Sequence, residues 1–151
     1  MNEKVLPKKI SRIYLAGPFF NETEIKNIEY VEKLLAKKGL SFFSPMRAEF
    51  KGFEIGTPDW ANAVFKADCE QIRASDAVLA LYYGSNGDTG TAWECGYAYS
   101  ICKPVILVHV KREGDANIMM HCSSYTNIFL EDLESLDFEN IPVIEYKGKM
   151  F

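Results

Sequence analysis

Hydrophobic residues along the chain fall in short runs, separated by stretches in which they recur every three or four positions, the pattern of strands alternating with helices. Residues 10–17 read as a first strand closing on Gly17 and Pro18, and the loop after it exposes Phe19 and Phe20. From Asn21 a helix is predicted to about residue 38, with Ile28, Val31, Leu34 and Leu35 on one face and Gly39 as its stop. Residues 40–43 make a short second strand. No period is readable over residues 45–58, and an irregular stretch of that length in a compact domain is more often functional than idle, so it is expected to wall a pocket. Asp59 reads as the N-cap of a second helix through residue 74, with Val64, Phe65 and Ile72 on its inner stripe.

Residues 77–82 form a third strand, 84–87 have loop chemistry, and a helix is expected to begin at residues 89–91. The continuous apolar run at 103–108 is the mark of a strand buried on both faces. Residues 111–124 read as irregular, yet Asn117, Ile118, Met119 and Met120 are too apolar for a solvated loop and imply burial against this chain or another. A fifth strand at 125–130, a short helix at 131–136 and an extended tail complete the chain. The sum is an α/β domain spanning residues 10–151 after a polar lead at 1–9: flavodoxin-like, doubly wound, with a five-stranded, mostly parallel sheet and helices on both faces. Ligands of such sheets sit at the carboxyl ends of the strands, where Gly17, the 84–88 turn and the Asn117 segment converge.

Two acids break the pattern. Glu94 recurs with Tyr97, Ala98 and Ile101 on the stripe that faces the protein, and Asp68 lies four residues after Val64 and four before Ile72. The nearby helix start, opened at Asp88, is expected to help keep Glu94 ionised where water is scarce, and an ionised, semi-buried carboxylate is a candidate nucleophile. The plainer readings are an acid that only complements the helix dipole and, for Asp68, a buried acid satisfied by backbone donors or Arg73. Trp93, Tyr97, Tyr99 and Phe65 read as core aromatics, Cys95 points off the Glu94 stripe, and His109 and His121 read as structural or exposed.

Composition narrows the partners. A chain of 151 residues, 48% hydrophobic and 25% charged, fits one domain with a full core. The net charge of −4, with no basic block, argues against polymeric nucleic acid but not against a single nucleoside. Four cysteines without a CxxC pair and two histidines supply no metal-ligand spacing, so no metal is expected and the thiols read as reduced, in keeping with a cytoplasmic protein. No apolar run approaches the roughly 20 residues of a membrane span. Neither GxGxxG nor GxxxxGK[ST] occurs, so no dinucleotide or triphosphate cofactor is expected.

The run Ile13, Tyr14, Leu15, Ala16, Gly17, Pro18, Phe19, Phe20, then Asp68, then Asp88 with Trp93, Glu94, Cys95, Gly96, Tyr97 and Ala98, together resemble the nucleoside 2-deoxyribosyltransferases in order and spacing. The resemblance implies transfer of a 2-deoxyribosyl group between bases through a glutamyl ester, without a cofactor. It matches Glu94 to the nucleophile, Tyr14 to the tyrosine that orients it, and Asp68 to the acid that helps protonate the departing base. It also matches Asp88 to a substrate-contacting aspartate, and puts Gly17, Phe20 and Glu49 at the substrate pocket, with glutamate where some members carry glutamine. Asn117 and Met119 match a segment lent to a neighbouring subunit's site, which implies a homo-oligomer built from dimers, up to a hexamer, with shared sites. One departure is Phe151, where members often end in a tyrosine that reaches the catalytic glutamate. The rival enzyme is a deoxynucleoside 5′-monophosphate N-glycosidase, which needs phosphate donors where this chain offers Asp88 and aromatics. A non-catalytic receiver-type or ligand-binding module would show an acidic cluster after strand 1, where Leu15, Ala16 and Gly17 stand.

Overall fold

The computed structural model describes residues 9–112 and 114–151; apart from Lys9, the polar lead lies outside the described residues. Five strands, β1 (Arg12–Ala16), β2 (Ser41–Phe43), β3 (Ala77–Tyr82), β4 (Val105–His109) and β6 (Thr126–Phe129), form one sheet in the order β2-β1-β3-β4-β6, every neighbouring pair parallel. This is the flavodoxin-like arrangement the hydrophobic pattern predicts. Parallel strands need crossovers, which the helices supply, and their cover explains why β3 and β4 are buried at every position.

Alternation along β1 sorts the core into two layers. Ile13 and Leu15 pack with Ile28, Val31 and Leu35 of α1 (Glu22–Lys37) on one face. Tyr14 and Ala16 face the other way, with Ile72 of α2 (Pro58–Ala74) and Cys95 and Ala98 of α3 (Thr89–Ser100). Asn21 caps α1 by accepting from the Glu24 N–H at 2.9 Å, and Gly39, at φ +74°, ends it in a conformation that glycine adopts without strain.

The structure corrects several expectations. Asp59 is not the cap of α2: the Thr57 hydroxyl accepts from the Trp60 N–H at 3.3 Å, because Pro58, with its preset φ and missing N–H, fits the first helical position. Phe65, Trp93 and Tyr99 are exposed rather than core, and two of these rings instead pile up on the surface, Phe65 against Trp93 at 5.3 Å and Trp93 against Tyr97 at 5.4 Å. On α3 the deepest residues are Thr91, Cys95 and Ala98, so the buried stripe is rotated by one position and Cys95, not Tyr97, lies in the core. The histidines, read as structural or exposed, are buried structural residues; His109 Nε2 meets Asn127 Oδ1 at 3.0 Å.

The 111–124 stretch is not irregular. It holds β5 (Asp115–Ala116) and α4 (Ile118–Ser123), and the tail returns as β7 (Lys149–Met150) to pair with β5 in a small second sheet. That pairing joins segments over 30 residues apart, so no local pattern reports it. Residues 131–136, read as a short helix, are the tighter 3₁₀ turn Leu130–Ser135.

Candidate active site

Tyr14, at the middle of β1 beside Val78 of β3, meets side chains from α2 and α3 in a cluster of three ionisable groups. The Tyr14 hydroxyl donates to Glu94 Oε1 at 2.7 Å, across 80 positions of sequence. Tyr14 is fully buried, and burial together with the nearby Glu94 and Asp68 charges raises its pKa, so it remains a neutral donor. Asp68 reaches the same cluster from α2: its charge acts on both Tyr14 and Glu94, and its Oδ1 is buried with no hydrogen-bond partner. A buried polar atom left without a partner is costly, and one aimed into a cluster of this kind is available to a ligand.

Burial dominates the electrostatics. It pushes Glu94 up to about 7; the Tyr14 hydrogen bond pulls the other way, while Asp68 and Asp88 add further upward pressure. Burial alone pushes Asp68 up to about 6. The expectation that the helix start keeps Glu94 well ionised is therefore overturned. Glu94 is the sixth residue of α3, and the dipole's influence fades beyond the first turn, one of whose N–H donors Asp88 already occupies. Asp88 Oδ2 accepts from the Thr91 N–H at 2.7 Å and from the Thr91 hydroxyl at 2.9 Å.

Asn117 and Met119 lie elsewhere. They share a cavity of about 570 Å³ with Asp88, Ala92, Gly96 and Phe151. On a helix of 3.6 residues per turn Glu94 points about 200° away from both Ala92 and Gly96, so the body of α3 stands between this cavity and the Glu94 cluster. Asp88, at the tip of α3, borders both. Asn117 caps α4, its Oδ1 accepting from the Met119 N–H at 2.9 Å, and Met119 is 73% exposed, free to touch something outside its own fold. The Phe151 backbone is held beside them, donating to Ala116 O at 3.0 Å and accepting from the Ile118 N–H at 2.9 Å.

The remaining expected site residues are not drawn into the cluster. Phe20 is exposed, its N–H donating to Glu24 Oε2 at 2.7 Å, and Glu49 stands on the surface 3.9 Å from Lys51. Gly17 has a packing reason of its own: a Cβ there would lie 3.1 Å from Ile28 Cδ1 and 3.2 Å from Leu81 Cβ, on the face opposite Tyr14. A further residue, Tyr82, reads in sequence only as the end of a strand. Its hydroxyl accepts from the Asn117 N–H at 2.7 Å, and the one sequence signal for it is its place at the carboxyl end of a central strand. Among the described residues no group of three or more His, Cys, Asp and Glu is arranged to hold a metal ion, and no helix is long and apolar enough to cross a membrane.

The family model for nucleoside 2-deoxyribosyltransferases matches residues 13–135, a span that holds Tyr14, Asp68, Asp88, Glu94, Asn117 and Met119. The chain belongs to the nucleoside 2-deoxyribosyltransferase family. It is therefore a member of a family of pentosyl-transferring enzymes. It is 27% identical to the nucleoside deoxyribosyltransferase of Lactobacillus leichmannii over 97% of this chain and 100% of that one. To the enzyme of the same name from Lactobacillus johnsonii it is 30% identical, over 72% of this chain and 79% of that protein. The solved 2-deoxyribosyltransferase of Bacillus psychrosaccharolyticus superposes with a TM-score of 0.82 at 36% identity, covering 89% of this chain and 98% of that one. The Clostridium botulinum CMP N-glycosidase shares the fold, with a TM-score of 0.57 at 24% identity.

Proposed function

We propose that this domain, residues 10–151, exchanges the base of 2′-deoxynucleosides in the cytoplasm, with Glu94 as the nucleophile. The observation that carries the reading is the Tyr14–Glu94 hydrogen bond of 2.7 Å inside a desolvated cluster that also holds Asp68. The reactive form is the one with Glu94 ionised and Asp68 protonated; in it Tyr14 holds Oε1 and leaves Oε2 for the anomeric carbon. As the Oε2–C1′ bond forms, the glycosidic bond breaks and its electron pair goes to the base nitrogen, which takes a proton from Asp68. A second base then attacks C1′, Glu94 departs as carboxylate, and the incoming base returns its proton to Asp68. Two carboxyl groups with separate roles are the established device for glycosyl transfer with retention, and a pKa near neutrality suits a group that must give and take a proton.

Asp88 is assigned to the sugar, Phe20 and Glu49 to the base, and Gly17 to the wall of the pocket. Because α3 separates Asn117 and Met119 from their own Glu94, the reading has them serve the site of an adjacent copy in a homo-oligomer. The test is chromatography of the protein incubated with deoxyinosine plus adenine, thymidine plus adenine, deoxyinosine alone, and deoxyinosine 5′-monophosphate alone. Deoxyadenosine in the first mixture is the expected result, and in the second it would extend the range to pyrimidine donors. Free base from the monophosphate, without exchange between nucleosides, would make the protein a hydrolase and overturn the reading.

A further inference from the structure

We infer that Tyr82 is a positioning residue that sets the segment at Asn117 against the α3 cap at Asp88; the inference rests on the proposed role of Asn117 in an adjacent copy's site, where its amide is taken to meet the sugar. Tyr82 is the last residue of β3 and only 5% exposed, yet its hydroxyl reaches out of the core to accept the Asn117 N–H at 2.7 Å. That N–H belongs to the residue capping α4, so the contact fixes where α4 begins and where the Asn117 side chain starts. The same ring packs on the other side against Gly87, the residue before Asp88: a Cβ on Gly87 would lie 3.2 Å from Tyr82 Cε2. Tyr82 thus touches the backbone on both sides, at the residue before the α3 cap and at the α4 cap.

The ring has little freedom to move. It meets His109 edge-on at 5.5 Å, and His109 lies flat on Tyr146 at 4.4 Å, whose hydroxyl donates to Gly114 O at 2.7 Å. Gly84, at φ +65°, keeps the turn after Tyr82 close enough for β5 to reach it: a Cβ there would lie 2.8 Å from Asp115 O. The end of β3 therefore sets Asn117 both directly, through the Tyr82 hydroxyl, and through the seating of β5, which β7 braces from the other edge. If Asn117 reaches the sugar of a neighbouring site, a shift at Tyr82 moves that contact and the Asp88 contact together, without touching Glu94.

The test is a double-mutant cycle of Tyr82→Phe, which keeps the ring and removes only the acceptor, with Asn117→Ser, which keeps a capping oxygen and removes the amide. Base exchange is followed at varied deoxynucleoside concentration, with circular dichroism and thermal unfolding in parallel. A positioning role gives about a tenfold rise in KM for Tyr82→Phe, kcat changing far less, and no further loss when it is combined with Asn117→Ser. A purely structural role would lower the melting temperature or the amount of active protein and leave KM unchanged, which would overturn the inference. Losses that multiply in the double variant would also overturn it, since Tyr82 would then act by another route. An unchanged KM in Asn117→Ser alone would defeat the assignment of Asn117, and the role of Tyr82 with it. An impaired Asn117→Ser beside a wild-type-like Tyr82→Phe would defeat Tyr82 only.

Discussion

Glu94→Gln should make this protein more stable while removing its proposed nucleophile, and the gain should appear only above the ordinary carboxylate range. In the unfolded chain the Glu94 carboxyl titrates near 4.5, whereas in the folded protein burial moves it to about 7. Below 4.5 the group is protonated in both states and affects neither. As the pH rises the unfolded state releases the proton first, so the wild type loses stability at up to about 1.4 kcal/mol per pH unit until the folded group has also ionised. The loss is complete above pH 7 and amounts to about 3 kcal/mol. Glutamine has no proton to lose, and its carbonyl oxygen can still accept from Tyr14. Guanidinium unfolding of both proteins, at fixed concentration and at pH 5, 6, 7 and 8, should show the variant's advantage growing from a small value to about 3 kcal/mol, or a melting point about 10 °C higher at pH 8. Curves that stay parallel across this range, or a variant less stable at pH 8, would refute the claim that Glu94 is held desolvated.

Tyr14→Phe removes the one interaction that pulls the Glu94 pKa down, so the acid limb of the pH–rate profile for base exchange should move up by about one unit and activity at pH 7 should fall about fivefold. In Asp68→Asn the neighbouring negative charge is gone and the same limb should move down, while exchange slows at its plateau because the departing base loses its proton donor; an unchanged plateau would remove Asp68 from the mechanism. Gly17→Ala pushes a methyl against Ile28 and Leu81, and denaturant unfolding should show a loss of about 1 kcal/mol, overpacking outweighing the reduced freedom of the unfolded chain.

The five strands of the main sheet and the two anomalous acids were legible from local pattern alone. Ala77–Tyr82 is buried at all six positions, as its unbroken apolar run implies, and Asp68 and Glu94 do project from helices towards one cluster. Thr57 was missed as a cap because Asp59 is an equally good capping type, and only the seating of Pro58 decides between them. The exposed Phe65, Trp93 and Tyr99 were misread because an aromatic at helical spacing carries no mark of whether another layer covers it.

The order of apolar runs by itself determined the parallel sheet, since continuous strands joined by amphipathic helices have few other ways to hide their surface. It also determined that carboxylates stand on apolar stripes. Tertiary structure alone decided what those carboxylates are. Tyr14 meets Glu94 through the pairing of β1 with β3 and the packing of α3 on that face, and the pKa near 7 comes from water excluded by segments far away in the chain. The same is true of Asn117, which Tyr82 and the returning β7 hold on the far side of α3. Local pattern records what a residue's chain neighbours allow; desolvation and reach depend on what folding brings beside it.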